Sequence, residues 1–392
     1  MKKKGFPAHV QIPTFTHPQA NAPFIAILES VPDPRGASPN FSYSLTTILF
    51  IVTVTVLCGA EDWEDMALAG QQLEPWISQY VDTSCGIPSA FTLERVISLI
   101  DPSALESMLG EVSQLFCNLP EDIIALDGKT LCGSKNTAVD QKAVHILNAW
   151  SCRNKVCLGQ IKVDDKSNEI TAIGPLLDRL FIKEAIITAD AINTQKAIVE
   201  KIVNKEAHYV LPVKGNHKGL LESIQLLFAE AKKVSFKGID ADEFEAIEKS
   251  RGRIEERLCV VLDATELVEA KEWAHLRTVA KITRRRTVGG KTTEEEIYYI
   301  SDLGLDAEKI ARAAREHWGV ENGLHHSLDV VLSEDNHIYR DRNGAANLSA
   351  IRKIVLAALE KVETKKKYSK KGKRLLAAMN PVFRLECLKI VF

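Results

Sequence analysis

Between residues 123 and 213 the chain carries short apolar runs separated by helical patterns, and two of those runs stop at an aspartate. Ile123-Ile124-Ala125-Leu126 ends at Asp127-Gly128, and Ala185 to Ala189 ends at Asp190. Runs this short and continuous read as strands buried on both faces. Between them, Ala143 to Trp150 and Val156 to Val163 flank the polar Ser151-Cys152-Arg153-Asn154-Lys155 and read as a hairpin. A helix from about Glu169 to Leu180 precedes the second aspartate-terminated run, and another, Thr194 to Lys205, leads to a strand at His208 to Val213. Strand, hairpin, helix, strand, helix, strand makes a mixed sheet with a βαβ crossover, in which the first and fourth strands lie parallel as neighbours. Asp127 and Asp190 then stand side by side beyond the carboxyl ends of the strands, where open sheets bind ligands. An aspartate before glycine is, taken alone, more often a simple turn former.

The rest of the chain divides around this sheet. Residues 1–40 hold Pro7, Pro13, Pro18, Pro23, Pro32, Pro34 and Pro39 and are expected to be irregular. Residues 41–119 are patterned as a helical domain, with turns at Cys85-Gly86-Ile87-Pro88-Ser89 and Asp101-Pro102-Ser103. The apolar stretch Leu45 to Ala60 is short for a membrane span, contains threonines and runs into Glu61-Asp62, so it reads as a buried helix. Residues 120–340 form the α/β domain, interrupted at about 234–303 by a β-rich insertion with strands at Leu258 to Leu262, Leu276 to Ile282 and Glu296 to Ile300 and a Gly289-Gly290 turn. A long helical pattern runs from Asp306 to Leu332, and residues 341–392 read as a helix followed by a basic tail.

Composition narrows the class. Hydrophobic residues at 45% and charged residues at 26% describe an ordinary folded chain, and a net charge of −2 leaves only local basic patches to meet phosphates. The eight cysteines form no CxxC pair, which argues against a zinc ribbon or a disulfide framework and fits a reducing cytoplasm. Met1-Lys2-Lys3-Lys4 is followed by glycine and prolines rather than by the apolar core of a signal peptide.

A third carboxylate emerges when residues 307–332 are wound at about 100° per residue. Glu321 then falls on the stripe of Ile310, Ala314, His317, Leu324, Leu328 and Leu332, while Arg312, Arg315, Asn322 and His326 occupy the opposite face. An ionised carboxylate on a core-facing stripe needs a cation or donors to receive it; a metal ion and an arginine or backbone partner are equal candidates here. Three carboxylates in one crevice repel one another, a penalty that two divalent cations remove, and oxygen-only ligation favours magnesium or manganese over zinc.

Ile124-Ala125-Leu126-Asp127-Gly128-Lys129, Ile187-Thr188-Ala189-Asp190-Ala191 and His317-Trp318-Gly319-Val320-Glu321-Asn322 together resemble the DDE transposases of insertion sequences, specifically the H-repeat-associated, Rhs-linked family. Cys58-Gly59-Ala60-Glu61-Asp62-Trp63, Gly86-Ile87-Pro88-Ser89, Lys166-Ser167-Asn168-Glu169-Ile170, Leu328-Asp329-Val330 and Glu334-Asp335 extend the likeness over roughly residues 25–380. The resemblance implies a ribonuclease-H-like domain with a β-rich insertion before the glutamate, preceded by a helical domain. It also implies that Asp127, Asp190 and Glu321 are catalytic and hold two magnesium or manganese ions. The expected activity is cutting element ends and joining them to double-stranded target DNA, in the bacterial cytoplasm at the nucleoid, with a homodimer assembled on DNA and no membrane association. Relatives with a related insertion carry tyrosine, arginine and lysine around the glutamate, where this chain has Ala314, His317 and Leu328.

Candidate DNA contacts are Lys129 and Lys214 beyond strand ends, Arg284-Arg285-Arg286 at the insertion's hairpin, His317, and the segment Arg340 to Arg374, which holds twelve Lys/Arg against three acids. Two rival functions remain open at this point. A zinc-dependent hydrolase could use His317, Glu321 and His325 at i, i+4 and i+8, although HExxH is missing and both aspartates would go unused. A catalytically idle or domesticated DNA-binding derivative would keep the fold without the chemistry.

Overall fold

The computed structural model describes residues 23–36, 41–115, 117, 119–135, 142–164, 168–250 and 252–391. Of the proline-rich segment, residues 1–22 and 37–40 lie outside the described residues, and Pro23–Glu29 forms a short helix, α1. Helices α2 (Leu45–Leu57), α3 (Trp63–Ile77), α4 (Ala90–Leu99) and α5 (Pro102–Gln114) follow. Each of these four begins at a polar cap, Ser44, Asp62, Ser89 or Asp101, whose side chain accepts a backbone N–H of the first turn. The apolar run lies in α2, buried along almost its whole length. No helix among the described residues is long and apolar enough to cross a membrane.

The sheet begins with β1 (Ile123–Leu131), β2 (Val144–Ser151) and β3 (Val156–Val163), continues through α6 (Glu169–Arg179), β4 (Ile186–Ala189), α7 (Lys196–Asn204) and β5 (His208–Val213), and is followed by α8 (Lys218–Lys233). The insertion supplies β6 (Ala241–Ser250), β7 (Arg253–Asp263), β8 (Thr278–Val288) and β9 (Lys291–Ser301). All nine strands form one sheet in the order β3-β2-β1-β4-β5-β9-β8-β7-β6. The first five, with β1, β4 and β5 parallel and β2 antiparallel to β1, have the expected ribonuclease-H-like mixed arrangement. The β-rich insertion is therefore a continuation of the sheet, joined by the antiparallel pairing of β9 with β5, Val210↔Ser301 to Val213↔Tyr298. Its strand β6 was not anticipated, because its acid-rich sequence suits a charged edge more than a core strand.

One local expectation is corrected in β1. The strand does not stop at Asp127; it runs on to Leu131 because β2 pairs with it as far as Leu131↔Val144. Only the parallel pairing with β4 stops there, its last partners being Leu126↔Ala189, so the aspartates still follow that junction on both strands.

Helix α9 (Ala307–Glu316) lies on one sheet face over Ile123, Ile186, Val210, Val261 and Ala280, while Ile124, Ile187 and Leu211 face the opposite core. The long helix expected from 306 to 332 is interrupted: a π-helical turn, Val320–His325, separates α9 from α10 (His326–Leu332). The π turn adds residues to the winding, so Val320 and Leu324 are buried while Glu321 is exposed rather than core-facing. Arg312, Arg315, Asn322 and His326 are exposed as the periodicity predicts.

The C-terminal residues form α11 (Arg342–Lys361), α12 (Lys370–Met379) and α13 (Pro381–Val391), so the basic tail is a pair of docked helices. Helix α11 is buried from Gly344 to Leu359 and packs on α4, α5 and β3. Several of the segment's cations are internal: Lys353 Nζ reaches Gln160 Oε1 at 2.5 Å, Arg352 donates to Glu61 O, and Arg374 donates to Val56 O and Ala60 O.

The π turn is seated against Trp150 of β2, and a Cβ at Gly323 would lie 2.8 Å from its Cζ2. Replacing a helical glycine with alanine gains up to about 1 kcal/mol of propensity, but overpacking costs about 1–3 kcal/mol. Gly323→Ala should therefore lower the melting temperature in a thermal denaturation assay, and an unchanged or higher value would contradict this seating.

Candidate active site

A cavity of about 210 Å³ opens where β1, β4, β5 and the π turn meet, and Asp127, Asp190 and Glu321 all line it. Each arrives by a different route. Asp127 sits within β1 with its Oδ1 accepting the Gly128 N–H at 2.9 Å. Asp190 is the first residue after β4, and Glu321 is delivered by the π turn, whose backbone lies against β1. The three share a wall without closing on one point: among the described residues no group of three His, Cys, Asp or Glu side chains stands in metal-ligand geometry.

Two histidines flank the aspartates. His317 Nε2 lies 3.7 Å from Asp190 Oδ1, and its Nδ1 is 3.0 Å from Thr188 Oγ1. His325 Nδ1 lies 3.6 Å from Asp127 Oδ2. The zinc reading needs His317, Glu321 and His325 on one ligand row, whereas here each histidine turns to a different aspartate. Burial, with Lys129 and Lys353 nearby, lowers the His325 pKa to about 4, so the ring is neutral at physiological pH.

The two aspartates are driven apart electrostatically. Burial, reinforced by the charge of Asp190, pushes the Asp127 carboxyl up to about 7. The neighbouring His317 holds Asp190 below the usual carboxylate range. A buried carboxylate half-protonated at neutral pH and facing a second carboxylate is a donor set that gains by receiving a cation.

The candidate DNA contacts separate into two groups. Lys214 is exposed on the cavity wall, and Trp318 lines the cavity with the Arg284 guanidinium 5.7 Å from its ring centre. Lys129 is not beyond a strand end but buried in β1, its Nζ 2.7 Å from Asp329, 3.4 Å from Asp335 and 4.0 Å from Glu334. The arginine triplet does not tip the hairpin, which turns at Gly289-Gly290; it lies along β8. There Arg284 pairs with Glu295 at 2.8 Å and Arg285 with Glu294 at 2.6 Å, while Arg286 is exposed. In the C-terminal segment Arg340 lies 3.6 Å from Glu94, and Lys373 caps α11 through Leu359 O and Val362 O.

Sequence reasoning assigned no role to Glu169, His145 or Asn193. Glu169 Oε1 lies 2.6 Å from His145 Nε2, and its Oε2 accepts from Asn193 Nδ2 at 3.1 Å. His145 holds Glu169 below the usual carboxylate range. The signal lay in the motif Asn168-Glu169-Ile170, which carried the family likeness without a stated function.

Because the folded-state pKa of Asp127 is raised, the folded state binds a proton that the unfolded state releases between pH 4 and about 7. Metal-free stability should therefore fall as pH rises through that window. Asp127→Asn removes the dependence, so its melting temperature in EDTA should exceed that of the unsubstituted protein by a margin that grows from pH 4 to pH 8. A margin independent of pH would refute the raised carboxyl.

The transposase DDE domain family matches residues 118–358, and the DDE_Tnp_1-associated family matches residues 25–112. The chain is 38% identical over 336 residues to YbfL of Escherichia coli K12, spanning 84% of this chain and 88% of that one. It is 36% identical to the transposase-named YncI of E. coli O157:H7, over 91% and 92% of the two chains. The H repeat-associated, transposase-named YhhI of E. coli K12 is 38% identical, over 84% and 88%. The solved piggyBac transposase synaptic complex with hairpin DNA superposes at a TM-score of 0.42 with 11% identity, over 93% of this chain and 80% of that one, below the level at which a shared fold can be argued. The relatives, the matched families and the ordered mixed sheet agree: this chain is a member of the DDE transposase family, an enzyme that acts on DNA with divalent metal ions.

Proposed function

We propose that Asp127, Asp190 and Glu321 are the catalytic carboxylates, that they hold two magnesium or manganese ions, and that the chain cuts the ends of an insertion sequence and joins them to target DNA. The observation that carries this reading is the pairing Leu126↔Ala189, after which each strand presents an aspartate, with burial and the charge of Asp190 pushing the Asp127 carboxyl up to about 7. Bound there, divalent ions would supply Lewis acidity at the scissile phosphate and at the attacking oxygen. The protein's own part is placement: β1 and β4 set the aspartates, the π turn brings Glu321 across, and His317, held by Thr188, orients Asp190. Lys214 on the cavity wall meets the phosphate backbone, and Trp318 and Arg286 border the DNA path. Lys129 is left out of the DNA contacts because its ammonium is occupied by three carboxylates.

The catalytic unit is taken as residues 120–340 with its insertion at about 234–303, next to the helical domain at 41–119 and the C-terminal helices within 341–392. Synapsis of two element ends implies a homodimer on DNA, working at the bacterial nucleoid.

Nicking of DNA carrying the element ends, with MgCl₂ or MnCl₂, tests the assignment. Asp127→Ala, Asp190→Ala and Glu321→Ala should each abolish nicking, a loss of at least about 10³-fold for a group acting on the reacting phosphate, while retaining DNA binding in a gel-shift assay. Undiminished cleavage by any one of them would remove that residue from the active site. Activity that survives EDTA and follows tightly bound zinc would instead support the hydrolase alternative.

A further inference from the structure

We propose that Glu169 is a fourth carboxylate of the same cation site, held in place by His145 and Asn193 as positioning residues. The inference rests on the reading of Asp127 and Asp190 as metal carboxylates and adds a residue to it.

At the first turn of α6, behind the Asn168 cap, a glutamate would ordinarily be explained by the helix dipole alone, its side chain in solvent. Here the side chain is largely buried and fixed at both oxygens: Oε1 by His145 Nε2 at 2.6 Å and Oε2 by Asn193 Nδ2 at 3.1 Å. One anchor follows the β4 end that carries Asp190, and the other lies on β2, the antiparallel neighbour of the strand that carries Asp127. Asn193 is fully buried in the turn after Asp190, its N–H donating to Asp190 O at 2.9 Å. His145 pairs across from Thr130 of β1 and meets its Oγ1 at 3.0 Å. The carboxylate rests directly on the backbone beside Asp127, since a Cβ added at Gly128 would collide with Glu169 Oε1 and His145 Nε2. A second cavity, about 420 Å³, is lined by His145, Asn168, Glu169 and Ile192 and shares Asp190 with the first. Asp190 thus stands between Glu321 on one side and Glu169 on the other.

Charge makes the choice of residue informative. A glutamine could make both hydrogen bonds, donating from Nε2 to an imidazole nitrogen and accepting from Asn193 with Oε1, without adding negative charge beside two aspartates. The glutamate adds that repulsion to the crevice, and a divalent cation would reverse it. Hydrogen bonds that orient a carboxylate near a metal are a common supporting arrangement.

The test is Mn²⁺ binding by the full-length protein without DNA, followed by electron paramagnetic resonance of free Mn²⁺ during a MnCl₂ titration. Glu169→Gln should weaken Mn²⁺ affinity by about tenfold or more while leaving the melting temperature in EDTA unchanged or higher. Glu169→Asp, which keeps the charge and shortens the reach, should retain more affinity than Glu169→Gln. Unaltered Mn²⁺ affinity in Glu169→Gln, or equal losses in the two variants, would overturn the proposal and leave Glu169 as a tether. Asp127→Asn separates this from the underlying reading: if it loses Mn²⁺ while Glu169→Gln does not, only the fourth carboxylate falls. If neither variant loses Mn²⁺, the carboxylate cation site itself falls.

Discussion

The structure is organised around like charges that a parallel strand junction forces together. Where the β1–β4 pairing ends at Leu126↔Ala189, the next residue on each strand is an aspartate. Backbone hydrogen bonding fixes the strands about 4.8 Å apart, so the two carboxylates cannot separate without breaking the sheet. Side-chain rotation alone relieves the repulsion, and the neighbours restrict it. Asp127 is tied to the Gly128 N–H and faced by a neutral histidine, and Asp190 is faced by His317. The protein tolerates one carboxyl with a pKa near 7, which at neutral pH is a readiness to exchange a proton for a cation.

The remaining architecture serves to bring a third acid to this junction from a distant part of the chain. The insertion lengthens the sheet beyond β5 and gives α9 a broad apolar bed over β5 to β8. A regular helix continuing from α9 would bury residue 321 with Ile310 and Ala314. The π turn breaks that phase, letting Val320 and Leu324 fill the core while Glu321 turns to the cavity. A π turn is a strained choice that persists where surrounding packing holds it. Here Gly323 lets Trp150 approach closely enough to do so.

What could be read from sequence was whatever depends on local period. The apolar runs located β1, β4 and β5, the hairpin β2–β3 and the two aspartates, because a buried strand needs only its own residues to be recognised. Phase across a helix irregularity was not legible: winding Glu321 at a constant angle placed it in the core, and nothing local announces one extra residue per turn. Partner choice was equally hidden. Lys129 reads as a free cation until the fold brings Asp329, Glu334 and Asp335 around it from some 200 residues away. The arginine triplet was partly readable, since a turn at Gly289-Gly290 sets Arg284 opposite Glu295 and Arg285 opposite Glu294. The β6 edge and the helices of the supposed basic tail were missed because both are rich in charge, and their burial is decided by what they dock against.

A chain of net charge −2 has no overall positive charge with which to meet DNA. Many of its basic groups are engaged internally: Lys129 by acids, Arg352, Lys353 and Arg374 by buried oxygens, Arg284 and Arg285 by the facing strand. Among the described residues lining the two cavities, the exposed cations are Lys214 and Lys142, against carboxylates that include Asp127, Glu169, Asp190 and Glu321. Phosphate is repelled from such a surface until divalent ions change its sign. On the proposed assignment, entry of the scissile phosphate would be thermodynamically linked to metal occupancy, each raising the affinity for the other by the same factor. DNA contacts away from the crevice, for which the exposed Lys365, Lys366 and Lys367 are candidates, would act through ordinary counterion release and would not share that linkage. The Asp190 charge that adds to burial in raising the Asp127 pKa would, on that assignment, also oppose a phosphate in the metal-free crevice.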